Sequence, residues 1–203
     1  MKLLSWNINM VHGKVDIPNK TMLLVQYIKD LDPNVLFLQE TCLYTNNKIS
    51  ELGYTCHGMV RTHSMFCSIL AKNTLDKHIT NIKKYHQMGQ SITVNGIEFV
   101  NCHLVPFKEN SEQRIRQLDK LDNSNTLIMG DFNTDKDLSF KNLKEIGNSE
   151  TTWNLSFFQR GCNLKKKFDR VFTDIEIKEF AVRKILFSDH YPIQVTFEID
   201  FSC

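Results

Sequence analysis

The 203-residue chain carries 41% hydrophobic and 24% charged residues, the balance of a globular protein with a sizeable core and not of a disordered or fibrous chain. Its net charge of +2 excludes a polycationic binder, so any affinity for a polyanion must come from a local patch. No apolar run approaches the ~18 residues of a membrane span, and the start, MKLLSWNINM, lacks the sustained apolar segment of a secretion signal; no membrane association is expected.

In chain order, an apolar strand is expected over residues 2–8, ending on Asn7 and Asn9. Residues 21–31 place Met22, Leu23, Val25, Tyr27, Ile28 and Leu31 near helical spacing, and Asp32-Pro33 stops the helix. A buried strand over 35–38 delivers Gln39 and Glu40. A carboxylate closing an apolar strand is either exposed at its tip or meets a cation, because burying it unpaired is costly. A short helix over 46–52 follows, then strands over 54–60, 65–71, 79–85, 91–94 and 97–103, with Asn95-Gly96 as a hairpin turn and His103 closing the last strand. Residues 111–121 read as a helix with Ser111 as N-cap and Arg114 and Arg116 on a solvated face.

The stretch 126–135, TLIMGDFNTD, runs apolar through Leu127-Ile128-Met129, breaks at Gly130 and then presents Asp131 and Asn133. Two residues apart on a strand tip, these two point the same way and can hold a hydrated metal or orient a water; an Asp/Asn turn would leave the same trace. A short helix is expected over 138–146, a loop over 151–163 carrying Trp153, Phe157 and Phe158, and strands over 168–172, 175–182 and 193–199, with Ser188-Asp189-His190 before the last. Lys165-Lys166-Lys167 is the obvious basic run and reads equally as a solvated loop. The six cysteines show no C-x-x-C spacing and read as reduced core thiols of a cytoplasmic or nuclear protein, with no zinc site. No linker or composition shift divides residues 1–203, which are expected to form one domain.

Asn7, Glu40, His103, Asp131, Asn133, Asp169, Asp189 and His190 each end or begin an apolar run. One such residue is usually a cap or turn; eight scattered over the chain point to convergence on one site. Oxygen donors without clustered Cys or His suit a hard cation such as Mg²⁺, with Mn²⁺ as substitute. Such a cation beside His and Asn donors fits phosphoryl chemistry. No P-loop and no serine nucleophile elbow occur, which leaves hydrolysis by an activated water.

Ser5-Trp6-Asn7-Ile8-Asn9, Leu38-Gln39-Glu40-Thr41, His103-Leu104, Gly130-Asp131-Phe132-Asn133, Phe168-Asp169-Arg170 and Ser188-Asp189-His190 follow one another in that order. Together they closely resemble the endonuclease/exonuclease/phosphatase superfamily of metal-dependent phosphodiesterases. The resemblance implies a four-layered α/β sandwich, two packed mixed sheets with helices outside, and a site at one edge. It implies Glu40 as the principal Mg²⁺ ligand, with Asp189 and Asn9 near the metal and Asn7 supporting ligand and phosphate. Asp131 would orient or deprotonate the attacking water, Asn133 and His103 would contact the phosphate, and His190, oriented by Asp169, would stabilise its developing charge.

His103-Leu104 followed by Arg114-Ile115-Arg116-Gln117-Leu118, and Thr152-Trp153 followed by the basic run into Phe168-Asp169-Arg170, are similar to the tyrosyl-DNA phosphodiesterase branch. That similarity implies removal of 5′-tyrosyl adducts from DNA ends by a monomer, with Trp153, Arg114 and Lys165, Lys166 and Lys167 on the nucleic acid; ordinary core packing is an equal reading of Trp153. Two departures bear on substrate: Asn9 stands where many members have Asp followed by Gly, and Tyr191 replaces an expected Trp. A DNA or RNA nuclease, a deadenylase, or a cyclic dinucleotide or phospholipid phosphodiesterase fits the same motifs. A binding module that lost turnover is the non-enzymatic alternative.

Overall fold

Two parallel strand pairs, each crossed over by a helix, set the architecture of the computed structural model, which describes residues 1–10, 16–62, 65–106, 110–121, 123–147, 150–154, 164–185 and 187–201. Strand β1 (Lys2–Asn7) runs through helix α1 (Ile17–Leu31) to parallel β2 (Val35–Thr41). Helix α2 (Leu43–Ser50), β3 (Tyr54–Arg61), β4 (Phe66–Lys72) and a 3₁₀ turn (Asn73–His78) lead to β5 (Ile79–Tyr85), β6 (Gly89–Val94) and β7 (Ile97–His103). Helix α3 (Ser111–Leu118) then crosses to β8 (Thr126–Asp131), parallel to β7. The remaining strands are β9 (Lys144–Ile146), β10 (Trp153–Asn154), β11 (Lys165–Lys166), β12 (Asp169–Thr173), β13 (Glu179–Val182) and β14 (Ile193–Thr196).

They form two six-stranded mixed sheets, β13-β14-β1-β2-β4-β3 and β5-β6-β7-β8-β12-β9, and a two-stranded ribbon, β10-β11. Because strand side chains alternate, each central strand feeds two apolar layers. Leu3, Phe37, Ile69, Phe99, Met129 and Val171 meet between the sheets. Leu4, Leu36 and Leu38 turn outward onto Leu24, Ile28 and Ile49 of α1 and α2, while Val100, Ile128 and Phe172 turn outward onto Leu118. Helix, sheet, sheet, helix: the expected four-layered sandwich.

A polar bridge crosses the central layer at β2 and β7. Gln39 Nε2 donates to Asn101 Oδ1 at 2.7 Å, and Asn101 Nδ2 donates to Ser68 O at 2.8 Å, all three residues fully buried. This ties β2 to β7 one residue before Glu40 and two before His103. Gly130 is required for the β7–β8 contact: its φ is +151° and a Cβ there would stand 1.9 Å from Cys102 O.

Several expected elements differ. The helix expected over 138–146 is instead an extended segment ending in β9, paired with Val171–Thr173. Leu138, Phe140 and Leu143 satisfy their apolar spacing by covering Phe172 directly, which needs no helix. Helix α1 starts earlier than its apolar period, because Asp16 caps it through Asn19 N at 3.2 Å and proline opens its first turn. Ser111 is not the N-cap of α3: Asn110 holds that position without a side-chain cap bond, and the helix ends at Leu118. The strand expected over 175–182 begins only at Glu179, since Thr173 Oγ1 accepts from Ile175 N and turns the chain first. Phe157, Phe158, Cys162 and Cys203 lie outside the described residues; the four described cysteines are free thiols. No helix is long and apolar enough to cross a membrane among the described residues.

Candidate active site

The carboxyl ends of β1, β2, β7 and β8 open on one edge of the sandwich, where the backbone of parallel strands leaves room for ligands. Asn7 is opposite Gln39 across β1–β2, and Asp131 is opposite both His103 and Asp169 across its two neighbours. Adjacent strands thus carry these side chains to one place.

Asp131 Oδ2 is the focus. Asn7 Nδ2 donates to it at 3.0 Å, and the Nε2 atoms of His103 and His190 each stand 3.7 Å away. Asp131 Oδ1 accepts from Asn133 N at 2.8 Å, so the turn reading is also correct: one oxygen closes the Asx turn and the other faces the cleft. Asn133 Nδ2 donates to Leu104 O at 2.9 Å. His103 Nε2 also lies 3.7 Å from Glu40 Oε1, and its Nδ1 lies 3.2 Å from Thr62 Oγ1.

The backbone is distorted where these groups meet. Asn9, Glu40 and Asn133 have φ of 44°, 51° and 50°. Left-handed φ is common for Asn and rare for Glu. At Glu40 the β2–β4 register slips between Leu38 and Thr41, a bulge that turns the carboxylate out of the ladder.

His190 Nδ1 and Asp169 Oδ2 are 2.8 Å apart and buried. Burial pushes the His190 imidazolium down, but Asp169, with Asp131 and Asp189, outweighs it and holds the group up at about 10. Burial likewise raises Asp169, to about 6, against the opposing pull of His190. Asp189 is held below the usual carboxylate range although burial pushes it up, because His190, Asn9 and Trp153 together prevail.

Asp189 Oδ1 accepts from Asn9 Nδ2 at 2.9 Å and its Oδ2 from Trp153 Nε1 at 3.0 Å. Asn9 Oδ1 is buried without a hydrogen-bond partner among the described residues, while Asn9 N donates to Asn7 Oδ1 at 3.1 Å. No group of three His, Cys, Asp or Glu side chains among the described residues stands ready to hold a metal by itself. An open carboxylate, Glu40, and an orphaned amide oxygen, Asn9 Oδ1, nonetheless fit a hard cation that keeps several waters and takes phosphate oxygens. Both oxygens of Asp189 are engaged by the protein, so its contribution is to aim Asn9.

Beyond Asp169, a hollow of about 680 Å³ is lined by Arg114, Asn133, Lys136, Trp153, Lys166 and Phe168 among others. The Trp153 ring packs 5.1 Å from Phe168 and is half-buried, so it is neither wholly core nor free. Arg114 is not on a solvated face: it is 4% exposed and donates to Val105 O at 2.9 Å, whereas Arg116 is exposed. The lysine run splits three ways. Lys166 pairs with Asp135 at the hollow, Lys165 lies in a separate hollow of about 350 Å³ on the other face of the ribbon, and Lys167 pairs with Glu145 at 2.8 Å.

Four supporting residues have no role at the site in the sequence reading. Thr152 Oγ1 accepts from Phe168 N and Asp169 N at 3.0 and 2.8 Å, and Ser188 Oγ donates to Asn7 O at 2.8 Å. Both stand inside motifs already quoted, Thr152-Trp153 and Ser188-Asp189-His190, which is the signal that could have found them. Thr62 and Lys20 had none. Lys20 Nζ donates to Asn9 O at 2.9 Å, and burial lowers its ammonium against the pull of Asp189 and Glu40.

The model of the Endonuclease/Exonuclease/phosphatase family matches residues 4–190. No curated protein matches the sequence. Solved structures are similar in fold. D. rerio TDP2 complexed with single strand DNA product is 18% identical, with TM-score 0.78 over 98% of this chain and 99% of that one. TDP2 from C. elegans is 21% identical, with TM-score 0.75 over 96% and 74%. The mannosyl-6-phosphatase Bt3783 of Bacteroides thetaiotaomicron VPI-5482 is 16% identical, with TM-score 0.68 over 97% and 98%.

Proposed function

Because the chain belongs to the endonuclease/exonuclease/phosphatase family, whose members hydrolyse phosphoester bonds and generally depend on a divalent metal, we propose that it is a Mg²⁺-dependent phosphodiesterase of nucleic acid that releases 5′-tyrosyl adducts from DNA ends. The observation that carries this reading is the setting of Asp131 Oδ2, within 3.7 Å of two imidazoles and hydrogen-bonded to Asn7. A carboxylate so placed accepts the proton of a water directed at phosphorus.

Glu40 and Asn9 would hold the cation, which supplies positive charge to the phosphate oxygens when bound. Asn7 fixes Asp131 Oδ2 toward the cleft. His190, kept cationic by Asp169, faces negative charge developing on the phosphate, and His103 covers the other side. Trp153 and Phe168 offer an aromatic platform for a base, with Lys136, Lys166 and Arg114 around it for backbone phosphates. The likeness of fold to a TDP2 complexed with single strand DNA product supports this choice of substrate.

The test pairs a 5′-phosphotyrosyl oligonucleotide with the same strand bearing a free 5′-phosphate, given to wild type and Asp131→Asn with Mg²⁺ or EDTA. Tyrosine release that needs both Mg²⁺ and Asp131 and leaves the strand whole is the expected result. Release that survives EDTA or Asp131→Asn would sink the proposal.

A further inference from the structure

A further hollow, of about 560 Å³, opens on the same edge, lined by Val60, Arg61, Thr62, Lys84, His86 and Gln87 among others, with no acidic side chain among its described lining. Topology places it on the flank away from Trp153. Strands β3 and β5 are the outermost strands of their sheets there and meet across the sandwich, whereas Trp153 is bridged to His190, ahead of β14, on the other flank. Arg61 pairs with Phe66, which faces Thr41 just beyond Glu40, so β3 ends at the site edge. Thr62, in the wall of the hollow, has its Oγ1 3.2 Å from His103 Nδ1, and His103 Nε2 is 3.7 Å from Asp131 Oδ2. One imidazole therefore separates the hollow from the carboxylate proposed to take the water's proton.

Lys83 pairs with Glu98 at 3.3 Å, but Arg61, Lys84 and His86 are exposed, and Arg61 and Lys84 make no ion pair among the described residues. The strand of the proposed substrate lies on the Trp153 side and ends at the scissile phosphate, so what stands past that phosphate is the tyrosyl group. A tyrosyl ester of a 5′ phosphate is made when a protein's tyrosine attacks a strand, so that tyrosine belongs to a polypeptide. Uncompensated cations on this side discriminate by the charge of that polypeptide. We propose that the hollow binds acidic side chains flanking the adduct tyrosine, so that the protein prefers a 5′-linked acidic peptide to a neutral one. The inference rests on the tyrosyl phosphodiesterase reading and names the leaving group of that same site. Water adds to phosphorus and gives its proton to Asp131. The bond from phosphorus to the phenolic oxygen breaks, and that oxygen takes a proton from solvent. One water is consumed, giving an intact strand with a 5′-phosphate and a peptide with a free tyrosine. An extended chain spans about 3.3–3.6 Å per residue, so carboxylates within about four residues of the tyrosine are the ones in range.

The test uses the whole chain with Mg²⁺ and one oligonucleotide joined through its 5′ phosphate to the tyrosine of a peptide, either Asp/Glu-rich or Ser/Gly-rich around that tyrosine. The variants are Arg61→Glu/Lys84→Glu and, for the same change of net charge at the opposite edge, Lys29→Glu/Lys77→Glu. Exposed ion pairs are individually weak, so wild type should show a KM about fivefold lower for the acidic conjugate, a preference that fades with added salt. Arg61→Glu/Lys84→Glu should reverse the order of the two conjugates, and Lys29→Glu/Lys77→Glu should keep it. Equal KM for both conjugates in wild type, or a preference that survives Arg61→Glu/Lys84→Glu, would overturn the inference and leave peptide release standing. So would an equal loss, beyond that of the control, in anisotropy binding of the plain 5′-phosphate strand, which would make the hollow a nucleic-acid contact. No release from either conjugate would overturn the phosphodiesterase reading. Anisotropy with the acidic conjugate then still decides the hollow, because binding unaffected by Arg61→Glu/Lys84→Glu refutes it.

Discussion

His190 Nδ1 lies 2.8 Å from Asp169 Oδ2 at a point where the two side chains are only 7% and 0% exposed. The carboxylate therefore fixes the imidazole with Nε2 toward Asp131, 3.7 Å away. Asp169→Asn keeps the shape and removes the charge that holds the ring in this state. The expected result is a fall in kcat of about 100-fold or more with KM nearly unchanged. Steady-state kinetics decide it, and a rise in KM at constant kcat would remove Asp169 from the machinery.

Glu40 combines a bulged, left-handed backbone with a carboxylate whose nearest described partner is 3.7 Å away. Such a group is stabilised by a cation. Mg²⁺ at about 100 times its Kd should therefore stabilise the wild type by about 2.7 kcal/mol, visible as a rise in Tm, and Glu40→Gln should lose that response while folding normally. An equal rise in both proteins would place the ion elsewhere.

Much of this edge was legible in the sequence because each polar residue ends or begins an apolar run, and a strand boundary is a local signal. Glu40, His103, Asp131 and Asp169 follow from that alone. Lys20 and Thr62 could not, since they reach the site from a helix and a hairpin turn whose own periodicity says nothing of it. Arg114 misled for a different reason: a solvated face is the default for an arginine, yet it stands four and seven residues before the buried Leu118 and Leu121, on their side of the helix, and Val105 O accepts from it in the interior. The expected helix at 138–146 failed because its apolar spacing is met by an extended segment whose Glu145 is drawn to Arg170.

Trp153 has two roles that substitution can separate. Its ring lines the hollow beside Phe168, and its Nε1 donates to Asp189 at 3.0 Å. Trp153→Phe keeps a stacking face and loses the hydrogen bond; Trp153→Ala loses both. Oligonucleotide binding by anisotropy should weaken little in the first and by about 1–3 kcal/mol in the second. Equal losses would mean that the ring acts through Asp189 and not on a base.

Lys20 places a cation against Asn9 O and in the field of Asp189 and Glu40. It competes with any divalent ion held there. At several Å in a partly solvated site one unit charge is worth about 1 kcal/mol, so Lys20→Met should tighten Mg²⁺ binding roughly fivefold by calorimetry. Weaker binding would instead show that Lys20 serves to hold the Asn9 turn.

Glu145 tests the scaffold behind the site. Its carboxylate takes Arg170 Nε at 2.7 Å and Nη2 at 2.5 Å, with Lys167 at 2.8 Å, and the Arg170 side chain is 0% exposed. Burial pushes the Glu145 carboxyl up, but Arg170 and Lys167 outweigh it and hold it below its ordinary value. A carboxylate depressed in the folded state adds stability that is fully present above its unfolded pKa, about 4.3, and is lost as pH falls through the folded value. Glu145→Gln leaves the buried guanidinium uncompensated and should cost about 3 kcal/mol at pH 7. The difference from wild type should narrow below about pH 4, as protonation removes the same charge from the wild type. Urea midpoints at the two pH values measure this, and a constant difference would show that the loss comes from packing and not from the ion pair.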